Sequence, residues 1–100
     1  SQQARLMADD GGILLRSAKR EDPFKAIDGG KAILTREQLI IGRYGFDLAG
    51  MTGINVYFKS HLEFKYQSAD YRICFESPHV SAYKWQCAVE LAKQRITSPI

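Results

Sequence analysis

Three stretches in the second half of the chain alternate apolar and polar residues with a period of two. Ile54, Val56 and Phe58 fall on one side, with Asn55, Tyr57 and Lys59 on the other. Leu62, Phe64 and Tyr66 repeat the pattern against Glu63 and Lys65, and Tyr71, Ile73 and Phe75 repeat it again. Successive side chains of a strand point to opposite faces, so this spacing predicts antiparallel strands with one buried face. Gln67-Ser68-Ala69-Asp70 predicts the turn between the last two.

Upstream, Ile13 to Arg20 reads as a first strand, closed by the turn-rich Glu21-Asp22-Pro23. Phe24 to Asp28 reads as a loop or short strand, and Gly29-Gly30 as a turn. Lys31 to Thr35 and Gln38 to Arg43, joined by Arg36-Glu37, fit two short strands better than a helix, because glycines bound the stretch on both sides. Gly45, Gly50 and Gly53 then break the chain into short pieces. At Ser77 the period changes. Ser77 suits an N-cap and Pro78 the first helical position. Trp85, Ala88, Val89, Ala92 and Ile96 recur at helical spacing, predicting an amphipathic helix of about five turns. Tyr83, Lys84, Gln86, Lys93 and Gln94 would face water wholly or in part, and Lys93 and Arg95 complement the helix dipole. Trp85 is expected to be buried at one open end of the sheet structure.

Strands first and one helix last is a mainly β fold with a C-terminal helix. Residues 13–97 are expected to form the domain, with 1–12 a flexible tail or linker and 98–100 a second tail. The length of 100 residues allows one domain with a real core. With 45% hydrophobic and 25% charged residues the composition is that of a globular chain rather than a disordered one. No apolar run exceeds three residues, as in Ile13-Leu14-Leu15 and Leu39-Ile40-Ile41. A membrane-spanning helix needs about 20, so none is expected. The chain opens Ser1-Gln2-Gln3, as an excised or processed domain would, and shows no signal-peptide stretch.

A net charge of +3 favours phosphates, anionic lipid or an acidic protein, but is too small to imply nucleic acid. Cys74 and Cys87 are neither a disulfide framework nor a zinc set, and are expected to be reduced, largely buried thiols of a cytoplasmic domain.

The order of elements, with a tryptophan early in the closing helix, resembles the pleckstrin-homology (PH) superfold, and within it the short bacterial PH-like and GRAM-like domains. Those carry a glycine, alternating hydrophobics, a threonine and a second hydrophobic strand. Here the segment is Gly30-Lys31-Ala32-Ile33-Leu34-Thr35-Arg36-Glu37-Gln38-Leu39-Ile40-Ile41. Phe46-Asp47-Leu48 followed by Ile54 resembles the fourth strand entering the second sheet, and Trp85 the helix tryptophan that plugs the barrel. The likeness runs from Ile13 to Ile96. It implies a PH-like, partly open antiparallel barrel of six or seven strands capped by the helix.

Chemical motifs are few. Gly30-Lys31 is no Walker loop, because Lys25 stands where a glycine is needed and Ala32 where a hydroxyl is needed. Arg43-Tyr44-Gly45-Phe46 half resembles the aromatic signature of RNA-recognition sheets, but Asp47 replaces an aliphatic residue and no helix separates the first strands. Tyr44 and Phe46 are expected to be barrel core and rim. His61 and His79 are isolated polar residues, the second in the first helical turn. Without a nucleophile, a paired base or a metal-ligand cluster, no enzymatic activity, cofactor or metal is expected.

The resemblance points to one further set. Phosphoinositide-binding PH domains clamp headgroups with basic residues on the first strand pair, and Lys19, Arg20, Lys25, Lys31 and Arg36 occupy that region. Lys31 has no basic partner two residues on, and Glu21, Asp22 and Asp28 dilute the charge. The expected role is therefore a protein-interaction or regulatory module within a larger protein, using a sheet edge or the flank of the helix at Tyr83 and Leu91. The alternative is a peripheral module reading acidic phospholipid at the cytoplasmic membrane face through the first hairpin.

Overall fold

A computed structural model of the chain describes residues 4–19 and 21–97. Seven strands precede one long helix: β1 (Gly11–Ser17), β2 (Lys25–Leu34), β3 (Gln38–Ile41), β4 (Tyr44–Asp47), a 3-10 turn (Leu48–Gly50), β5 (Thr52–Tyr57), β6 (His61–Tyr66), β7 (Ala69–Phe75) and α1 (Ala82–Thr97). All pairings are antiparallel, in the order β4-β3-β2-β1-β7-β6-β5. The two meanders join through β1 and β7, so β4 and β5 are the outer strands, and the 3-10 turn links them. The sheet curls into a half-barrel that α1 caps, as the resemblance implies, and the arrangement is compatible with a PH-like fold.

The curl is built into β2. Its first part pairs with β1 through Lys25 to Lys31, and its last three residues, Ala32 to Leu34, pair with β3. The expected turn at Gly29-Gly30 is instead a bend inside one continuous strand of 10 residues. Gly30 adopts φ 140°, a backbone conformation that side chains with a Cβ rarely take. Gly12 serves β1 differently: a Cβ there would lie 2.7 Å from the Cys74 carbonyl oxygen, so only glycine lets β1 and β7 approach.

Leu14, Leu39, Ile41, Leu62 and Ile73 point inward and are fully buried, and Trp85 and Val89 complete the core from α1. Phe46 sits among three rings, edge-on to Phe64, Tyr66 and Tyr71 at centroid distances of 4.9, 5.2 and 4.7 Å. Such edge-to-face packing adds favourable quadrupole alignment to burial. Phe46 is therefore core and Tyr44 lies at the rim, the reverse of the order expected, because the inward position of β4 falls on Phe46. Trp85 is buried and stacks on Phe75 at 5.5 Å.

Several elements depart from the sequence reading. The first strand runs from Gly11 to Ser17 rather than from Ile13 to Arg20. Part of the segment read as a tail is docked: Leu6 N–H donates to the Leu34 carbonyl (2.7 Å), Leu34 N–H to that of Met7 (2.8 Å), and Ala32 N–H to that of Asp10 (2.8 Å). Ser77 and Pro78 do not begin the helix. Ser77 closes a separate turn, accepting Val80 N–H at its carbonyl (3.2 Å) and His79 N–H at its hydroxyl (3.3 Å), which puts His79 in a loop. Val80 packs against the core, and the helix restarts with Ser81 as cap to Tyr83 N–H (3.3 Å), giving 16 residues.

Phe58 leaves the buried face assigned to it. With Lys59 and Ser60 it forms the three-residue turn between β5 and β6, Phe58 and Lys59 both at positive φ (51° and 67°), and it is 86% exposed. Cys74 is half-buried and Cys87 exposed, so the thiols are free and neither is buried, contrary to expectation. Among the described residues, no helix is long and apolar enough to cross a membrane.

Candidate functional site

Helix α1 lies along β5, and three hydrogen bonds hold it there. At its start, Ala82 N–H donates to the Lys59 carbonyl (2.7 Å). Further along, Gln86 Nε2 donates to the Ile54 carbonyl (3.1 Å), and Lys93 Nζ donates to the Met51 carbonyl. The helix thus runs antiparallel to β5, which pairs only with β6 and has no strand on its outer side among the described residues. Between them opens a cleft of about 480 Å3, walled by Thr52, Gly53 and Ile54 on one side and by Cys87, Glu90 and Leu91 on the other.

The helix wall follows from sequence spacing. Residues four apart on a helix share a face, so Tyr83, Cys87 and Leu91 form one ridge. Tyr83 is 56% and Leu91 52% exposed, and the ridge is uncharged. Both residues therefore stand where the helical period places them. The opposite wall was hidden in the sequence: Gly53 (φ 58°) sits in a register shift between Thr52 and Asn55, and that irregularity erases the alternation. Glu90 and Lys93 supply one charge of each sign, so the cleft has no strong field.

The first hairpin is arranged differently. Lys19 is exposed in the β1–β2 loop, where its carbonyl accepts from Ser17 Oγ (2.6 Å) and Asp22 N–H (2.9 Å). Lys25 is exposed at the start of β2, opposite Arg16, and shares this end of the hairpin with Lys19. Lys31 stands opposite Gly11, six positions further on, which at strand geometry is about 20 Å away. Arg36 is further still, in the β2–β3 turn. Arg20 lies outside the described residues. The structure brings Lys19 and Lys25 together and separates them from Lys31 and Arg36.

Two carboxylates missed as structural residues organise the surroundings. Asp28 accepts Gly29 N–H and Arg43 N–H, each at 2.8 Å, clasping the β3–β4 turn. The Arg43 and Gly29 backbone hydrogen bonds hold its carboxyl below the ordinary value. Asp10, 8% exposed, accepts from Trp85 Nε1 (2.7 Å) and from Lys84 Nζ (2.8 Å). Burial pushes its carboxyl up, but those two hydrogen bonds and the Lys84 charge together bring it below the usual value. A tryptophan expected to be buried was the available signal, because its N–H then needs an acceptor. Cys74 goes the other way: burial raises its thiol. Among the described residues there is no group of three or more His, Cys, Asp or Glu side chains placed to hold a metal ion.

No family model matches the chain, and no curated protein or solved structure matches it.

Proposed function

We propose that this domain is a non-catalytic protein-interaction module of the PH-like kind, nearest to bacterial PH-like and GRAM-like domains, acting within a larger cytoplasmic protein. Its ligand is an extended peptide segment with apolar side chains at intervals, seated between β5 and α1. The observation that carries this reading is the cleft itself, where an unpaired strand edge lies beside the exposed Tyr83-Cys87-Leu91 ridge. Sheet edges and helix flanks are recurrent peptide-docking surfaces, and exposed apolar rows on soluble domains mark such contacts. Gln86 and Lys93 already occupy the Ile54 and Met51 carbonyls, so apolar side chains against the ridge supply more of the binding than backbone pairing does. Binding of acidic phospholipid through the first hairpin has less support, since its basic residues divide between the two ends of β2.

The test is selection of binders from a displayed random-peptide library. Enriched peptides should carry spaced apolar residues, shift the amides of β5, and lose about tenfold or more in affinity on Leu91→Asp or Tyr83→Asp. Replacing Lys19, Arg20 and Lys31 together by Gln should leave that binding unchanged. Enriched peptides indifferent to Leu91→Asp, or no enrichment at all, would overturn the reading. So would salt-sensitive binding to acidic vesicles that the triple Gln variant abolishes.

A further inference from the structure

A second cleft, of about 430 Å3, opens on another face of α1, near its C-terminal end. Three segments distant in sequence enclose it: Leu6 from the docked N-terminal stretch, Arg36 and Glu37 from the β2–β3 turn, and Ala92, Arg95 and Ile96 from the helix. Its lining is apolar where Ala92, Ile96 and the partly exposed Leu6 meet, and charged where the arginines stand.

Each wall is fixed by backbone hydrogen bonds. Leu6 N–H donates to the Leu34 carbonyl at 2.7 Å. The turn that presents Arg36 is closed on Thr35, whose hydroxyl accepts Gln38 N–H (3.0 Å) and Glu37 N–H (3.3 Å). It is then tied to the 3-10 turn by Leu48 N–H donating to the Glu37 carbonyl (2.9 Å). Arg95 comes from a regular turn of helix. Taken singly, Arg36 would be a solvated turn residue and Arg95 a complement to the helix C-terminus. Their placement along one hollow that also has an apolar side, from elements nearly 60 residues apart, is what neither of those roles explains.

We propose that this cleft binds a small amphipathic carboxylate, an aliphatic chain ending in a single negative charge. Guanidinium groups match a carboxylate through paired N–H donors, and the match strengthens where one side of the site excludes water. Among the described lining residues, two guanidinium groups and the one carboxylate of Glu37 sum to a formal charge of +1, which suits a monoanion better than a doubly charged phosphate monoester. The volume lies in the range of small-molecule sites, and Leu6, Ala92 and Ile96 give the chain an apolar wall to lie against. The site is separate from the β5–α1 groove and stands whether or not that groove binds peptide.

Octanoate titrated into the full chain, followed by NMR, tests this. The expected result is saturable shifts at the Leu6, Ala92 and Ile96 methyls and at the Nε–H of Arg36 and Arg95. Octanol, which has the chain without the charge, and acetate, which has the charge without the chain, should each bind at least about tenfold more weakly. Arg36→Gln and Arg95→Gln should each weaken octanoate by a similar factor while leaving the Trp85 emission of the folded protein unchanged. Octanol binding as well as octanoate would overturn the proposal. Undiminished octanoate binding in the Arg36→Gln/Arg95→Gln double variant, shifts confined to other surfaces, or no saturable shift into the millimolar range would do the same.

Discussion

A buried indole must find a hydrogen-bond acceptor, and here Asp10 supplies it across 75 positions of sequence. The same carboxylate also takes the Lys84 ammonium, so one side chain answers a buried donor and a charge on the first turn of α1. Asp10→Ala should cost about 2–3 kcal/mol, because it leaves the Trp85 N–H unpaired in the core, whereas Asp10→Asn keeps an acceptor and should cost less. The pH dependence follows from the lowered carboxyl. Its unfolded-state value is about 3.9. The stabilisation is therefore complete above pH of about 4 and is lost as pH falls through the folded-state value. Denaturant midpoints measured down through this range should decline more steeply for the native protein than for Asp10→Asn. Parallel declines would show that Asp10 is not the group responsible. In the sequence Asp10 sits in Asp9-Asp10-Gly11-Gly12, which has the composition of a linker. Local composition carries no record of a partner on the last helix.

At the scale of elements, what was legible is what has a strict period. The alternation in β6 and β7 and the stripe Trp85-Val89-Ala92 all bury the face they announce. Where the structure departs, a local conformation overrides the period. Gly29-Gly30 has the residues of a turn but the pairing of a strand, since β1 holds it extended, Ile13 opposite Gly29 and Gly12 opposite Gly30. Ser77-Pro78 carries a helix-start signature, yet Val80 docks against the core and Ala82 N–H is claimed by Lys59, so the cap moves to Ser81. The β5–β6 and β6–β7 turns both use non-glycine residues at positive φ: Phe58 and Lys59 in one, Gln67 and Ser68 in the other. The β6–β7 turn has two residues, and such hairpin turns favour this geometry because its twist matches the strands, but a Cβ there is strained. Ser68→Gly, at φ 65°, should therefore stabilise the domain by about 0.5–1 kcal/mol, part of the relieved strain being offset by the added freedom of the unfolded chain. A higher urea midpoint with unchanged slope is the expected reading. An unchanged or lower midpoint would mean the turn is not strained as described.

For the whole molecule, the decisive feature is that the first strand lies in the middle of the sheet. β1 is flanked by β2 and β7, so the meanders cannot separate without breaking it, and Asp10, just ahead of it, holds the last element. The helix in turn rests on β5 and the β5–β6 turn through Ala82, Gln86 and Lys93. These ties also build both clefts: the groove needs α1 seated beside β5, and the Arg36–Arg95 hollow needs the N-terminal stretch, the β2–β3 turn and the helix at once. That joint dependence is why neither site could be read in full from sequence. Exposed Tyr83 and Leu91 follow from helical period, but a wall made of three remote segments has no local signature. The same connectivity predicts a single cooperative unfolding transition, with no stage in which the helix has left an intact sheet. Trp85 emission reports the helix–core contact and far-ultraviolet circular dichroism reports the strands and helix together, so their urea curves should superimpose. Asp10→Ala should move both curves by the same amount, since its effect is on the one folded state. Emission that turns red at lower urea than the loss of ellipticity would show α1 detaching first, and the sheet would then have to be stable without its cap.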